Sequence, residues 1–330
     1  MRNVLRILGF VLFVAVVLVL PSRVSDFRSL ELAQVGIFFI AIVGLNVLTG
    51  YTGVISLGHG AFMAIGAYTT AILVADHGVK DLYTIPIAGL VALAAGFAFG
   101  IPALRLSGPY LALATFGIAV STPIVIKKFD GFTGGTGGIN LFESPDLTGA
   151  FFGVHVLGRT LTFNDWIYYL TWAIALALFV VAWAISASPF GRALRAVRDN
   201  EIAATASGVW GASHKTLAFA ISAFYAGIAG SLFAIHANSV SPGGFPADLS
   251  IKLLVGLAVG GLGTLAPLVA GAAFLFYLPQ WAQDLSKSPG APAVIYGAVL
   301  IVLMIVIPGG AGGLLRRVAS PLTTRLYARS

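Results

Sequence analysis

Acid–base and metal chemistry needs carboxylates, histidines or thiolates, and this chain has few of them: 12 Asp and Glu, five His and no Cys among 330 residues. Without cysteine there is no disulfide, no thiolate nucleophile and no thiolate metal site. Spacing removes further chemistries. No G-x-x-x-x-G-K-[ST] loop is present to cradle phosphates, so the chain is not expected to hydrolyse ATP itself. No H-E-x-x-H, G-x-S-x-G or carboxylate-rich metal loop occurs either. Gly261-Leu262-Gly263-Thr264-Leu265-Ala266 matches a loose dinucleotide fingerprint. It lies in an apolar run with no βαβ unit around it, and reads as close backbone packing or a helix break. No catalytic residue, metal ligand or cofactor site is expected.

Two polar groupings remain. The first is the stretch from Asn46 to Gly60, where Asn46, Thr52, Ser56 and His59 sit beside Gly58 and Gly60. These side chains either hold helices together by hydrogen bonds or line a path for a small polar solute. The second reads Ser188-Pro189-Phe190-Gly191-Arg192-Ala193-Leu194-Arg195-Ala196-Val197-Arg198-Asp199-Asn200-Glu201, followed by Ala203, Ala204 and Gly208. Ser188 suits a helix cap and Pro189 the first helical position. Phe190, Leu194 and Val197 fall on one apolar face, Arg192, Arg195 and Asp199 on another, with Arg198 on its flank. Gly208 suits a C-cap. Such a basic helix either rests on anionic lipid or docks a partner.

The elements that position these residues follow from composition. Asp, Glu, Lys and Arg make up 9% of the chain and apolar residues 58%, and the mean hydropathy is +0.96. A soluble domain carries about 25% charged residues, and it must cover its outside with polar groups. The excess therefore excludes a soluble globular enzyme and a disordered chain, and predicts an all-α, polytopic integral membrane protein. The net charge of +7 fits Lys and Arg gathered on the cytoplasmic side of a membrane rather than nucleic-acid binding.

About ten membrane segments are predicted, some short or broken: residues 4–20, 30–48, 54–75, 85–104, 109–126, 166–185, 217–237, 251–263, 266–278 and 293–307. The first has no A-x-A-like cleavage site after it and reads as a retained span. Residues 1–330 form one domain, with an external segment at 127–165 and a cytoplasmic loop at 186–215. Placing both termini inside leaves eleven Lys and Arg in the cytoplasm and eight outside, as the positive-inside rule asks. That parity requires residues 251–278 to be two segments broken at Gly260–Gly263 and Pro267 rather than one helix of about 40 Å. His59 is the one ionisable side chain expected deep in the bilayer, where it stays neutral because charging it there is costly. The lack of carboxylates there disfavours a proton-driven carrier.

The chain resembles the LivM-type permease subunits of branched-chain amino-acid ABC importers. The resemblance rests on Gly50-Tyr51-Thr52-Gly53 with Ser56–Phe62, on Leu106-Ser107-Gly108-Pro109-Tyr110-Leu111-Ala112, and on the external Thr133-Gly134-Gly135-Thr136-Gly137-Gly138. Ser188–Gly208, Ala226–Gly230, Gly260–Thr264 and Pro308–Leu315 extend it over nearly the whole chain. It implies half of an alternating-access pathway in the bacterial inner membrane. The implied partners are a second permease of LivH type, two cytoplasmic ATPase subunits that bind ATP and Mg, and a periplasmic substrate-binding protein. Residues 190–208 would couple to the ATPases. In the family's E-A-A-x-x-x-G loop motif, Ala203, Ala204 and Gly208 fit, while Glu201 stands one residue early. Branched-chain amino acids are the main substrate reading, and urea, short amides or other small amino acids the alternative. A secondary carrier or facilitator is the more distant one.

Overall fold

The computed structural model describes residues 13–103, 106, 108–141, 155–156, 159–160, 162–285, 290–306 and 309–314. Helix α1 (Asp26–Leu45) continues through a π-helical turn, Asn46–Gly50. There follow α2 (His59–Ala75), α3 (Asp81–Ala103), α4 (Pro109–Lys128) and α5 (Phe163–Ala187). Two short helices, α6 (Pro189–Asp199) and α7 (Glu201–Ala206), lead into α8 (Gly211–Ala237). Helices α9 (Ala247–Gly260), α10 (Leu268–Leu285) and α11 (Ala291–Val306) follow, and a single helical turn at Asp130–Thr133 lies just beyond α4. Six stretches among the described residues are long and apolar enough to cross a membrane: Asp26–Gly50, α3, α4, α5, α8 and Pro242–Gly260; His59–Ala75 is apolar but shorter. The predicted first span lies partly outside the described residues.

Helices α1 and α8 bury most of their apolar stretches, as central helices do. Helix α3 packs on α8 and α5 on α1, while α4 lies against α2 and α9; the three turn Leu90, Phe97, Leu113, Ile124, Val181 and Trp183 outward, as lipid-facing helices do. Small residues set the closest approaches. A Cβ on Gly66 of α2 would collide with the Gly227 carbonyl of α8, and one on Gly230 with the Met63 carbonyl. Gly227 in turn meets Ala88 and Ala92 of α3. Backbone against backbone is the packing that lipid solvent favours, since apolar bulk gains nothing by leaving apolar lipid.

Two expectations are corrected in position. Residues 54–75 were expected as one span, but the helix starts at His59 and residues 53–58 run without helical structure. Gly53 takes φ +73°, which ends the preceding helix. The freed donors are met locally: Val54 N–H by Thr52 Oγ1 at 3.3 Å, Leu57 N–H by Thr115 Oγ1 at 2.9 Å and Gly58 N–H by Ser56 Oγ at 3.4 Å. Likewise α8 begins at Gly211, six residues before the predicted span. The expected break between α9 and α10 is present, with Gly261 at φ +108° and Gly263 at φ +73°; α10 is longer than predicted.

At the end opposite α6 and α7, strand β1 (Ile139–Asn140) pairs antiparallel with β4 (Ser239–Val240), and β2 (His155–Val156) with β3 (Arg159–Thr160). Asp26 joins the starts of α1 and α5 by accepting hydrogen bonds from Thr162 Oγ1 and from Asn164 Nδ2, the latter at 2.7 Å.

Candidate functional site

Ser188 caps α6 by accepting from Gly191 N–H at 3.2 Å. Gly191 admits no side chain, because a Cβ would run into the Ile185 carbonyl. The apolar face forms as expected but is spent within the chain: Leu194 and Val197 are buried and Phe190 stacks on His214, ring centroids 5.6 Å apart. Arg192 Nη1 donates to Ala187 O at 3.1 Å and stays on the exposed side. Arg195 turns inward instead. Its Nη2 donates to Ser186 O at 2.9 Å and its guanidinium lies 5.8 Å from the Tyr51 ring centre. Burial pushes the Tyr51 phenol up, with the Ser186 contact and the Arg195 charge opposing. Arg198, an exposed residue, reaches back to donate from Nη1 to Gly50 O at 2.6 Å.

Asn200 separates the two short helices and caps α7 by accepting from Ala203 N–H at 3.0 Å. Glu201 reaches Lys215 Nζ at 2.7 Å and so fastens α7 to the base of α8. Displaced from its usual place in the loop motif, this carboxylate serves as an internal tie. Ala204 is buried, Ala203 and Asp199 are exposed, and Gly208 closes the turn at φ +85°. Two residues that the motif reading passed over stand out from this surface: Ile202 is 83% and Trp210 77% exposed. Their signal in the sequence was large apolar side chains in a polar loop outside any span.

The second grouping lies at the inner ends of the breaks. Asn46 is fully buried; its Nδ2 donates to Thr264 O at 2.8 Å and its Oδ1 accepts from Gly263 N–H at 2.9 Å, clamping the α9–α10 break to the π-helical turn. Thr52 Oγ1 donates to Leu48 O at 2.7 Å. His59 is 2% exposed, with Nε2 2.9 Å from Ala41 O and Nδ1 3.4 Å from Ser222 Oγ. Gly60 N–H donates to Ser250 Oγ at 2.9 Å. Asn46, Thr52, Ser56, Gly58, His59 and Gly60 are all buried inside this chain. Their hydrogen bonds hold the breaks in place within this chain. Ile55, half-exposed, is what the extended stretch presents outward.

The glycine-rich loop at 133–138 is a backbone turn. Gly134, Gly135 and Gly138 take φ +71°, +58° and +73°, and a Cβ on Gly138 would strike the Val240 carbonyl. Thr133 Oγ1 donates to Ile126 O at 2.7 Å, while Thr136 and Gly137 stay exposed at the tip. Among the described residues no group of His, Asp or Glu is arranged to hold a metal ion.

The family described as branched-chain amino acid transport system / permease component matches residues 29–308. The chain belongs to this family. The high-affinity branched-chain amino acid transport system permease protein LivM of Escherichia coli (strain K12) is 34% identical over 319 residues, covering 91% of this chain and 74% of the relative. A probable branched-chain amino acid transport permease LivM of Methanocaldococcus jannaschii is 23% identical over 273 residues, 72% and 76% of the two chains. An autoinducer 2 import permease, LsrC of Photorhabdus laumondii, is 27% identical over 149 residues, 41% of this chain and 42% of the relative. No solved structure matches.

Proposed function

We propose that this permease forms half of the pathway of an ATP-driven importer of branched-chain amino acids. A second permease of LivH type completes the pathway, two cytoplasmic ATPases drive it, and a periplasmic binding protein supplies it. The observation that carries the reading is the family match over residues 29–308, joined to an α6–α7 pair that exposes Ile202, Trp210 and Arg192. Apolar residues held out in water beside a charge are the ingredients of a protein interface. The chain has no phosphate loop of its own, so the energy comes from the subunit docked there.

In this reading α6 and α7 are cytoplasmic and the chain crosses about ten times, with both termini inside. The turn at 309–314 supports that parity: Gly309 and Gly312 pack on Gly261, and Gly312 on Thr264, at the same end as α6. The binding protein meets the opposite end, where Lys127, Lys128, Phe129 and Phe132 are exposed. Purification of the tagged chain from its native membrane should bring down ATPase subunits. Vesicles holding the assembly should take up labelled leucine only with ATP and binding protein, with isoleucine and valine competing and urea not. Uptake without ATP would overturn the importer reading, and competition by urea alone would overturn the substrate.

A further inference from the structure

We propose that Arg198 is a positioning residue that carries movement of α6 and α7 to the helix breaks at the inner end of the pathway. This rests on the importer reading above. Three pieces of irregular backbone meet at this one guanidinium. Its Nη1 donates to the Gly50 carbonyl at 2.6 Å, at the end of the π-helical turn where helix carbonyls lack partners of their own. Its stem lies over Gly53, the first residue of the extended stretch, where a Cβ would sit 3.2 Å from Arg198 Cγ. Its Nη1 also borders Gly263 in the α9–α10 break, 3.4 Å from where a Cβ would stand. Asn46 then binds that same break through Gly263 and Thr264. A charged donor on a carbonyl makes a stronger bond than a neutral pair. All three partners are segments that can shift without breaking a regular helix.

The remaining contacts of the short helices run elsewhere. Phe190 stacks on α8 and Glu201 grips Lys215 of α8. Arg198 and Arg195, the latter on Tyr51, are the side chains of α6 that reach the end of α1. A pull on α6 therefore arrives at α1 through Arg195 and Arg198, and at the two breaks through Arg198.

The test is made on the whole importer in proteoliposomes, reading solute imported per ATP hydrolysed. A residue needed only for folding lowers both rates together and leaves the ratio unchanged. Arg198→Ala should lower the ratio by about tenfold, the size expected for loss of a charged hydrogen bond. Arg198→Lys, which keeps one donor for Gly50, should restore most of it. Asn46→Asp, which removes the donor to Thr264 at a side chain buried inside this chain, should lower the ratio as Arg198→Ala does. A parental ratio in Arg198→Ala overturns the proposal. So does parallel loss of uptake and hydrolysis in Arg198→Ala with a parental ratio in Asn46→Asp, which would place Arg198 at the ATPase contact itself. If Arg198→Ala does not assemble, parental ratios in both Arg198→Lys and Asn46→Asp overturn it. Absence of ATP-dependent uptake in the parent counts against the importer reading and is distinct from all of these outcomes.

Discussion

His59 shows how one polar side chain is accommodated among helices. Its Nε2–H faces the Ala41 carbonyl and its Nδ1 faces the Ser222 hydroxyl, so α1, α2 and α8 are pinned through a single neutral ring. His59→Gln keeps a donor and an acceptor and should retain most uptake, with the pH profile between mildly acidic and mildly basic unchanged. His59→Leu strands Ser222 and should destabilise the protein by about 1–3 kcal/mol, read as a lower melting temperature in detergent. A flattened pH profile in His59→Gln would show that the ring titrates during transport. Glu201 belongs to the same scale. Its bond to Lys215 is half-exposed on the carboxylate side, so Glu201→Gln should cost no more than about 1 kcal/mol and leave the ATPases bound. Loss of ATPase binding in that variant would mean the carboxylate contacts the partner directly.

Among the elements, the contrast between two glycines measures what the tight crossings are worth. Gly66 has the Gly227 backbone where a Cβ would go, whereas Gly117 of α4 has open space. Gly66→Ala should lower stability by about 1–3 kcal/mol through overpacking, and Gly117→Ala should be neutral or stabilise α4 by about 0.5–1 kcal/mol; thermal melts of the purified variants check both. The extended stretch at 53–58 gives a second case. Thr115→Val removes the acceptor of Leu57 N–H and should cost about 1–3 kcal/mol, while Thr115→Ser should not. This stretch was hidden in the sequence because hydropathy is blind to whether an apolar run is helical. Val54, Ile55 and Leu57 score as membrane residues whether wound or extended. The α9–α10 break was legible because glycine and proline announce it. The apolar face of α6 was legible from spacing, but its partner was not: periodicity tells which side is apolar, not whether the chain itself or another subunit covers it. For the same reason Asn46 and His59 were found as polar residues in apolar runs, and only packing shows that they face inward.

At the scale of the whole molecule, the cysteine-free chain makes topology directly measurable. Ser207→Cys and Ser330→Cys should both react with a thiol reagent from the cytoplasmic side, and Thr136→Cys from the opposite side. Labelling of the first two from opposite sides would refute an even number of crossings between them. The six long helices are recognisable from composition alone. The paired α9 and α10 required the glycines, Pro267 and the charge parity to place.

The glycine contacts between α2 and α8 carry a mechanical consequence. Where main chain rests on main chain there are no rotamers in between to rearrange, and separating the two surfaces would expose a void that no side chain can swing to fill. Met63, Gly66, Gly227 and Gly230 thus weld α2 to α8, with α3 fixed to the same seam through Ala88 and Ala92. These three helices are therefore expected to travel as one body. On the importer reading, alternation between outward and inward states is then expected to be absorbed at the edges of this body, beginning with the six residues before His59.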